Sequence, residues 1–599
     1  MKRLDTSKTL ERPMKTTRIH KRGSISYVYH VVSSTYHPDR KFNTDARVCI
    51  GKMVPGSETL MIPNDKFVTY YPTLYEKIQI VYPDPPTFSD TVKAGSFVVI
   101  RKILEDSGVK KILDDIYESN GTQDIVNMIT YVETAGSIAY QHYPAFMRDH
   151  LQLGGDIHSD SYLSKTLKAL ISDDNISKFL ISWNKLHVSD EKIYLNFDGC
   201  NLNWEVSDSS IYAEFGAAKD DPTKPQANFM TAMDNKDGEP LDYDTYNGSV
   251  VDMSQCTIMV DRLRDYGYTN IGCIFDRGFF RQPVIEWLEK TGYDVIMMAD
   301  TNIVEMRKII LKNHDALHNQ LETQLKGLDV LGITVKDTLW EQERYFHLYY
   351  DDVQGSYQRR RFYDEILIMA DELNQLKGKK LRSDANLSKY KPWFTLKIDE
   401  IKPAQEEKTD KSKKGRPRKE KPSIRVLAGY EKRVDRIKEH ADLLGHFAIM
   451  TFESMHADEC LITYRHRDVI EKFFRSIKWY DDLNTPGVHS DDAFDARMHI
   501  IFLTGIVHSR LMKISREIKE ETKQKRVFTI PGMIDLLEGI QCTVNSNNIY
   551  KRRYAITAKQ KLIFEKLGIV ESDVDNAIDT FNRDLGRLPA MQKSSPANL

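Results

Sequence analysis

The sequence predicts an α/β fold, and two observations carry that prediction. Between residues 190 and 300, three strand-like runs that can form a meander are followed by alternating helix and strand patterns, in the order β-β-β-α-β-α-β. Further on, at residues 458–482, an amphipathic helix sets charged and phenolic side chains on one stripe and apolar ones on another. Together these give the plan of a ribonuclease-H-like catalytic core. A large mixed insertion interrupts it at residues 301–457, and N-terminal α+β and C-terminal helical regions flank it.

Residues 1–97 read as β-rich. SISYVYHVVSS alternates and is β-branched, and RVCIGKM and VTYYPTLYEKIQIVY are further strand candidates. Residues 98–189 turn helical, a region expected to bind DNA, with Asp160 or Ser161 as a cap for the last of its patterns, SYLSKTLKALISDDNISKFLISWNKL. In the core, KIYLNFDG is a strand, and the next two runs form a hairpin turning at Asn235–Gly238. The helix MSQCTIMVDRLRDYG ends at Gly267, NIGCIFDRG is a buried strand, RQPVIEWLEKTG is a helix with Gly292 past its end, and YDVIMMAD is a buried strand. The insertion mixes a helix (VEMRKIILKNHDALHNQLETQL) with strands (RYFHLYYDDV, WFTLKIDEI, HFAIMTF) and holds a charged loop at 405–423. Residues 483–599 are mostly helical, with a tail from Pro589 expected to be disordered.

Composition narrows the function classes. Net charge is −2, so any nucleic-acid binding rests on local basic clusters. The six cysteines are scattered without a C-x-x-C pair, which argues against a zinc ribbon or disulfide framework and fits a reducing cytoplasm. No run of 18 apolar residues suggests a membrane span, and the basic N-terminus lacks the apolar core of a secretory signal. P-loop, G-x-G-x-x-G and Ser/His/Asp patterns are absent.

The chemistry-bearing residues converge. In ITYRHRDVIEKFFRSIKWYDD, Tyr464, Arg467, Glu471 and Lys478 fall within an arc of about 60° on a helix, while Ile462, Val469, Ile470, Phe473 and Ile477 cover a separate apolar face. Asp198 ends the first core strand and Asp276 the fourth, so adjacent parallel strands would bring both to one sheet edge. Three carboxylates meeting there repel one another unless a cation is present. Hard divalent ions with oxygen ligands resolve this, and two Mg²⁺ ions, with Mn²⁺ able to substitute, suit phosphate substrates. Asp300, at the end of the fifth strand, competes for a place in the site.

The spacing Y-x2-R-x3-E-x6-K resembles the Tyr-Arg-Glu-Lys motif of DDE transposases of bacterial insertion sequences. The DG after the first strand, the DRG after the fourth and the insertion before the glutamate helix are similar to the same branch. The resemblance implies that Asp198, Asp276 and Glu471 are the catalytic, metal-binding triad, and that Tyr464, Arg467 and Lys478 contact DNA near the cleaved end. It implies an enzyme that hydrolyses element ends and joins the freed 3′-hydroxyl to target DNA. The implied partners are double-stranded DNA and a second copy of the chain on it, in a bacterial, nucleoid-associated setting. KKGRPRKEK resembles an AT-hook, in which Lys414, Arg416 and Arg418 would enter an A·T minor groove; a solvated basic loop is the alternative. Two other functions stay open: a ribonuclease-H-like nuclease without strand transfer, and a DNA-binding regulator on a retired transposase core.

Overall fold

The structure is a computed structural model. It describes residues 9–37, 42–64, 66–75, 87–204, 210–216, 223–250, 252–381, 387–401, 424–468, 471, 487–488, 490–524 and 526–589. The chain divides into two compact units, Met1–Ser89 and Asp90–Leu599.

The first unit holds five strands: β1 Leu10–Glu11, β2 Thr17–Arg22, β3 Ile25–His37, β4 Phe42–Met53 and β5 Leu60–Pro63. They pair antiparallel in the order β1-β5-β4-β3-β2. Val28, Ile50, Met53, Met61 and Phe67 form its core. The aromatic run beginning at Val68, expected as a strand, instead makes two short helices, Phe67–Tyr70 and Pro72–Tyr75. Pro72 opens the second, where a missing backbone N–H is harmless, and Phe67 is fully buried. The rest of that expected strand, residues 76–86, lies outside the described residues.

In the second unit, β6 Thr91–Lys93 is followed by helices from Gly95 to Lys185, as the 3.6-residue periodicity predicts. The cap expected at Asp160 or Ser161 is Ser159, whose hydroxyl accepts the Tyr162 N–H. The core then runs β7 Ile193–Asn203, β8 Gln226–Asp234, β9 Pro240–Asn247, helix Asp252–Asp265, β10 Ile271–Phe275, helix Gln282–Thr291 and β11 Asp294–Met298. This is the expected β-β-β-α-β-α-β order. Gly292, with φ 71°, ends its helix in the left-handed conformation that a side chain would strain.

The sheet reaches beyond that core. The stretch expected as an insertion contributes β12 Leu331–Leu339, β13 Gln342–Tyr350 and β16 His446–Thr451, giving the order β12-β13-β16-β11-β10-β7-β8-β9. Between Tyr350 and His446 the chain leaves the sheet. It forms helix Asp352–Leu376, a hairpin of β14 Phe394–Ile401 and β15 Ile424–Lys432, and helix Val434–Leu443, around a separate core that includes Phe362, Leu373, Tyr390 and Leu427. The helix expected over Val304–Leu325 is broken into Val304–Lys312, His314–Leu317 and Gln320–Thr323.

β7, β10 and β11 are parallel neighbours, whereas β8 and β9 return antiparallel and β16 is antiparallel to β11. The side-chain period of two then separates two faces. Leu195, Phe197, Cys273, Phe275, Val295 and Met297 pack in one large core with Met259, Leu263, Ile285 and Leu288 from the crossover helices. On the other face, Ile274, Ile296 and Ile449 pack against Ala457, Cys460 and Leu461 of the helix Ala457–Arg465. The long helix Asp491–Thr522 buries His499, Phe502 and Ile506 fully. Its apolar stretch thus packs inward. C-terminal helices follow, with β17 Gln541–Val544 and β18 Tyr550–Arg552. These two pair in the order β18-β17-β6 and are too short to show alternation. No helix among the described residues is long and apolar enough to cross a membrane.

Candidate functional site

The parallel pairing of β7 and β10 builds the site. Ile274 is the register partner of Asn196, and continuing that register past the end of β10 sets Asp276 level with Asp198; Asp198 does not end its strand as expected, because β7 runs on to Asn203 against β8. Phe197 and Phe275 stack with centroids 5.9 Å apart on the large-core side. Asp198 therefore points, like Asn196, to the opposite side, under the helix Ala457–Arg465. The Asp198 carboxylate accepts the N–H of Gly199 at 2.9 Å, and that of Asp276 accepts the N–H of Gly278 at 2.8 Å. Asp276 thereby caps the turn Arg277–Phe279, whereas Asp198 lies within β7, paired with Thr231 of β8.

The helix over this edge follows from its sequence. Ala457, Cys460, Leu461 and Tyr464 recur at i, i+3, i+4 and i+7, and all contact the sheet's apolar cluster. Asp458 and Glu459 in its first turn suit the helix dipole. Its end is fixed by a buried amide chain. The Asn196 amide donates to Asn235 Oδ1 at 2.7 Å, and the Asn235 amide donates to the Thr463 carbonyl at 3.0 Å. The hairpin turn between β8 and β9 therefore sets the position of Tyr464.

Past Tyr464 the geometry differs from one continuous helix. The helix ends at Arg465, and the Arg467 N–H bonds back three residues to Tyr464 at 3.0 Å, a tightened turn. A four-residue bond resumes from the Glu471 N–H to the Arg467 carbonyl at 3.4 Å. Arg467 is thereby aimed at the sheet edge. Its guanidinium donates to Glu471 Oε1 at 2.8 Å and lies 3.7 Å from Asp276 Oδ2. The Arg467 side chain is 11% exposed, against 43% for Asp276 and 48% for Glu471. One buried cation thus bridges two accessible carboxylates. The Tyr464 hydroxyl is pushed up to about 12, chiefly by burial, so it remains a neutral donor at physiological pH.

A cleft of about 710 Å³ opens at this edge, lined by Asp276, Arg277, Gly278, Phe280, Arg281, Met298, Asp300 and Tyr464. Asp300 Oδ1 accepts both the backbone and side-chain N–H groups of Asn302 at 3.0 Å. Its carboxylate is thus engaged in capping the next turn. Arg277 and Arg281 were not singled out by sequence, because a DRG step reads equally as a simple turn; two arginines within five residues of a strand-end aspartate were the available signal. Lys478, Lys414, Arg416 and Arg418 lie outside the described residues.

The donor type suits a hard divalent ion, although Asp198, Asp276 and Glu471 do not lie within 4.8 Å of one another in this structure, where Arg467 stands between Asp276 and Glu471. The candidate ligands are carboxylate oxygens, and the Arg467 guanidinium lying between Asp276 and Glu471 shows that positive charge is favoured there. A family model of the transposase DDE domain matches residues 204–504. The match includes Asp276, Tyr464, Arg467, Glu471 and Lys478 and begins six residues after Asp198. No curated protein matches the chain. Among solved structures, the chain is similar to a piggyBac transposase in a synaptic complex with hairpin DNA, at 8% identity, covering 83% of this chain and 84% of that one, with a TM-score of 0.32.

Proposed function

The chain belongs to the family of transposase DDE domains, and on that premise we propose that it hydrolyses the ends of a DNA element and joins the freed 3′-hydroxyl to target DNA. The observation that carries this reading is the cluster at one sheet edge: Asp276 and Glu471 joined through Arg467, with Asp198 beside Asp276 by strand register. The ribonuclease-H-like plan is supported by the strand order β9-β8-β7-β10-β11, in which the first, fourth and fifth core strands are parallel.

In this reading Asp198, Asp276 and Glu471 hold two Mg²⁺ ions. When bound, the ions lower the pKa of an attacking water or hydroxyl and offset charge on the leaving oxygen. With Asp276 and Glu471 engaged by metal, Arg467 would be released to pair with the phosphate being cut. Arg277 and Arg281 hold neighbouring phosphates in the cleft, as guanidinium groups do well. Tyr464 donates its hydroxyl proton to a phosphate oxygen as a hydrogen bond. Lys478 adds a further phosphate contact, and the basic segment with Lys414, Arg416 and Arg418 engages DNA away from the reacting bond. One phosphodiester replaces another, so the joining step needs no external energy source.

The test uses the DNA that flanks the coding region. A labelled duplex ending in a 3′-hydroxyl is incubated with the protein, Mg²⁺ and a supercoiled plasmid. Label joined covalently to plasmid supports the reading. Cleavage without joining would make the chain a nuclease, and binding without either would make it a regulator. A pair of protomers holding two ends is part of the proposal. Light scattering should show a two-protomer complex when end duplex is added, and joining by a complex of a single protomer with a single end would exclude it.

A further inference from the structure

Three histidines meet where the 352–444 unit leaves and rejoins the sheet, well separated in sequence from the carboxylate site. His314 and His318 lie one helical turn apart at the His314–Leu317 helix, and His446 is the first residue of β16, register partner of Tyr350 at the end of β13. One ligand nitrogen from each lies within 4.8 Å of the other two, a grouping found nowhere else among the described residues. His318 Nε2 and His446 Nε2 are 3.2 Å apart. Two imidazoles bound tetrahedrally to one zinc ion at about 2.0–2.1 Å have nitrogens about 3.3 Å apart, so this pair already has the spacing of metal ligands. His314 Nδ1 lies 3.2 Å from the Asp315 carboxylate, which leaves Nε2 to face the group. A carboxylate on the far nitrogen is the usual support of a metal-bound histidine.

His446 Nδ1 is buried without a well-formed hydrogen bond among the described residues, although the Leu443 carbonyl acts on the ring. Nearby Arg359 is engaged elsewhere: it donates to the Tyr350 hydroxyl at 2.9 Å and stands 3.9 Å from Asp352. His314 is partly open, with 35% of its side chain exposed.

We propose that His314, His318 and His446 bind one Zn²⁺ ion, a site distinct from the carboxylate cluster. The imidazole set selects a borderline transition ion and rejects Mg²⁺. The ion fastens the helical turn after β11 to the β13–β16 pair, at the root of the 352–444 unit and a few residues before the helix that carries Tyr464.

The experiment uses the full chain freed of metal by a chelator. Co²⁺ is titrated as a spectroscopic probe and followed by its visible absorption, with Zn²⁺ as competitor and Mg²⁺ in excess throughout. One Co²⁺ per chain should bind, with Zn²⁺ displacing it. Zn²⁺ should also raise the thermal midpoint. His318→Gln and the partly exposed His314→Ala should weaken Co²⁺ binding by at least about tenfold, whereas Asp276→Asn and Glu471→Gln should leave it unchanged. The proposal is overturned if no saturable absorption develops, or if both histidine variants bind like the wild type. It is equally overturned if the carboxylate variants abolish the signal.

Discussion

Arg467 is the residue on which the local chemistry turns. It is nearly buried, bonded to Glu471 and close to Asp276, and its Nε has no hydrogen-bond partner among the described residues. Such a cation is held by carboxylates in the resting protein and is available to a phosphate. Arg467→Ala should lower the slope of log affinity against log salt by about 0.9 on end duplexes. An unchanged slope, measured by fluorescence anisotropy, would leave Arg467 with only its ion pairs. Asn235 plays a quieter part. Asn235→Ala removes the bonds to Asn196 and Thr463 and leaves a buried amide unpaired, so it should cost about 1–3 kcal/mol of stability and slow joining more than end binding. A thermal midpoint equal to the wild type's would contradict that role. Asp276, Tyr464, Arg467 and Glu471 were legible because residue type and spacing coincide with a strand end and a helix stripe. Asn196 and Asn235 were not, because their partnership depends on a hairpin meeting a helix more than 200 residues away, as the Thr463 bond shows.

Elements with strong local periodicity match the sequence: the helices Gln282–Thr291 and Asp491–Thr522, and the buried strand Ile271–Phe275. Where tertiary packing decides, the sequence misled. The aromatic run at Val68 has the composition of a strand and folds as short helices around buried Phe67. The stripe from Tyr464 onward implies one unbroken helix, whereas the chain tightens at Arg467 to turn its guanidinium toward the sheet edge. The long helix Asp491–Thr522 also makes a pH prediction. His499 is fully buried among Tyr243, Phe179 and Phe502, and burial lowers it to about 3. Below about 6.5 the unfolded chain takes up a proton that the folded chain refuses, so stability falls as pH drops, by roughly 1.4 kcal/mol per unit. His499→Phe should flatten the fall in thermal midpoint between about pH 7 and pH 5. An equally steep fall in the variant would show that other groups carry the acid sensitivity.

At the scale of the whole molecule, the eight-stranded sheet is the frame and the 352–444 unit is an appendage with its own core. Sequence alone placed a boundary at residue 301, because β12, β13 and β16 join the core sheet through pairings between distant segments that leave no local trace. The chain leaves and returns at neighbouring points: Tyr350 pairs with His446, and the Asp351 N–H bonds the Gly445 carbonyl at 2.9 Å. Replacing residues 352–444 with a two-residue Asn-Gly turn should therefore yield a folded protein that keeps the sheet, as loops closed by a hairpin do. Circular dichroism and a cooperative thermal transition check this. Loss of the transition would mean that the unit supports the sheet rather than hanging from it. With a net charge of only −2, the proposed DNA contacts would rest on local clusters such as Arg277, Arg281 and Arg467 rather than on the molecule as a whole.

The central claim is that Asp198, Asp276 and Glu471 act together on phosphodiesters at one sheet edge. The most direct measurement is Mg²⁺-dependent cleavage and joining of a labelled end duplex by Asp198→Asn, Asp276→Asn and Glu471→Gln, with end binding measured on the same preparations. Each variant should bind the end within about threefold of wild type and lose at least about 10³-fold in rate, on the order of 4 kcal/mol of transition-state stabilisation. Near-normal rates in any one variant, with binding intact, would contradict that residue's place in the site and move attention to Asp300 in the same cleft.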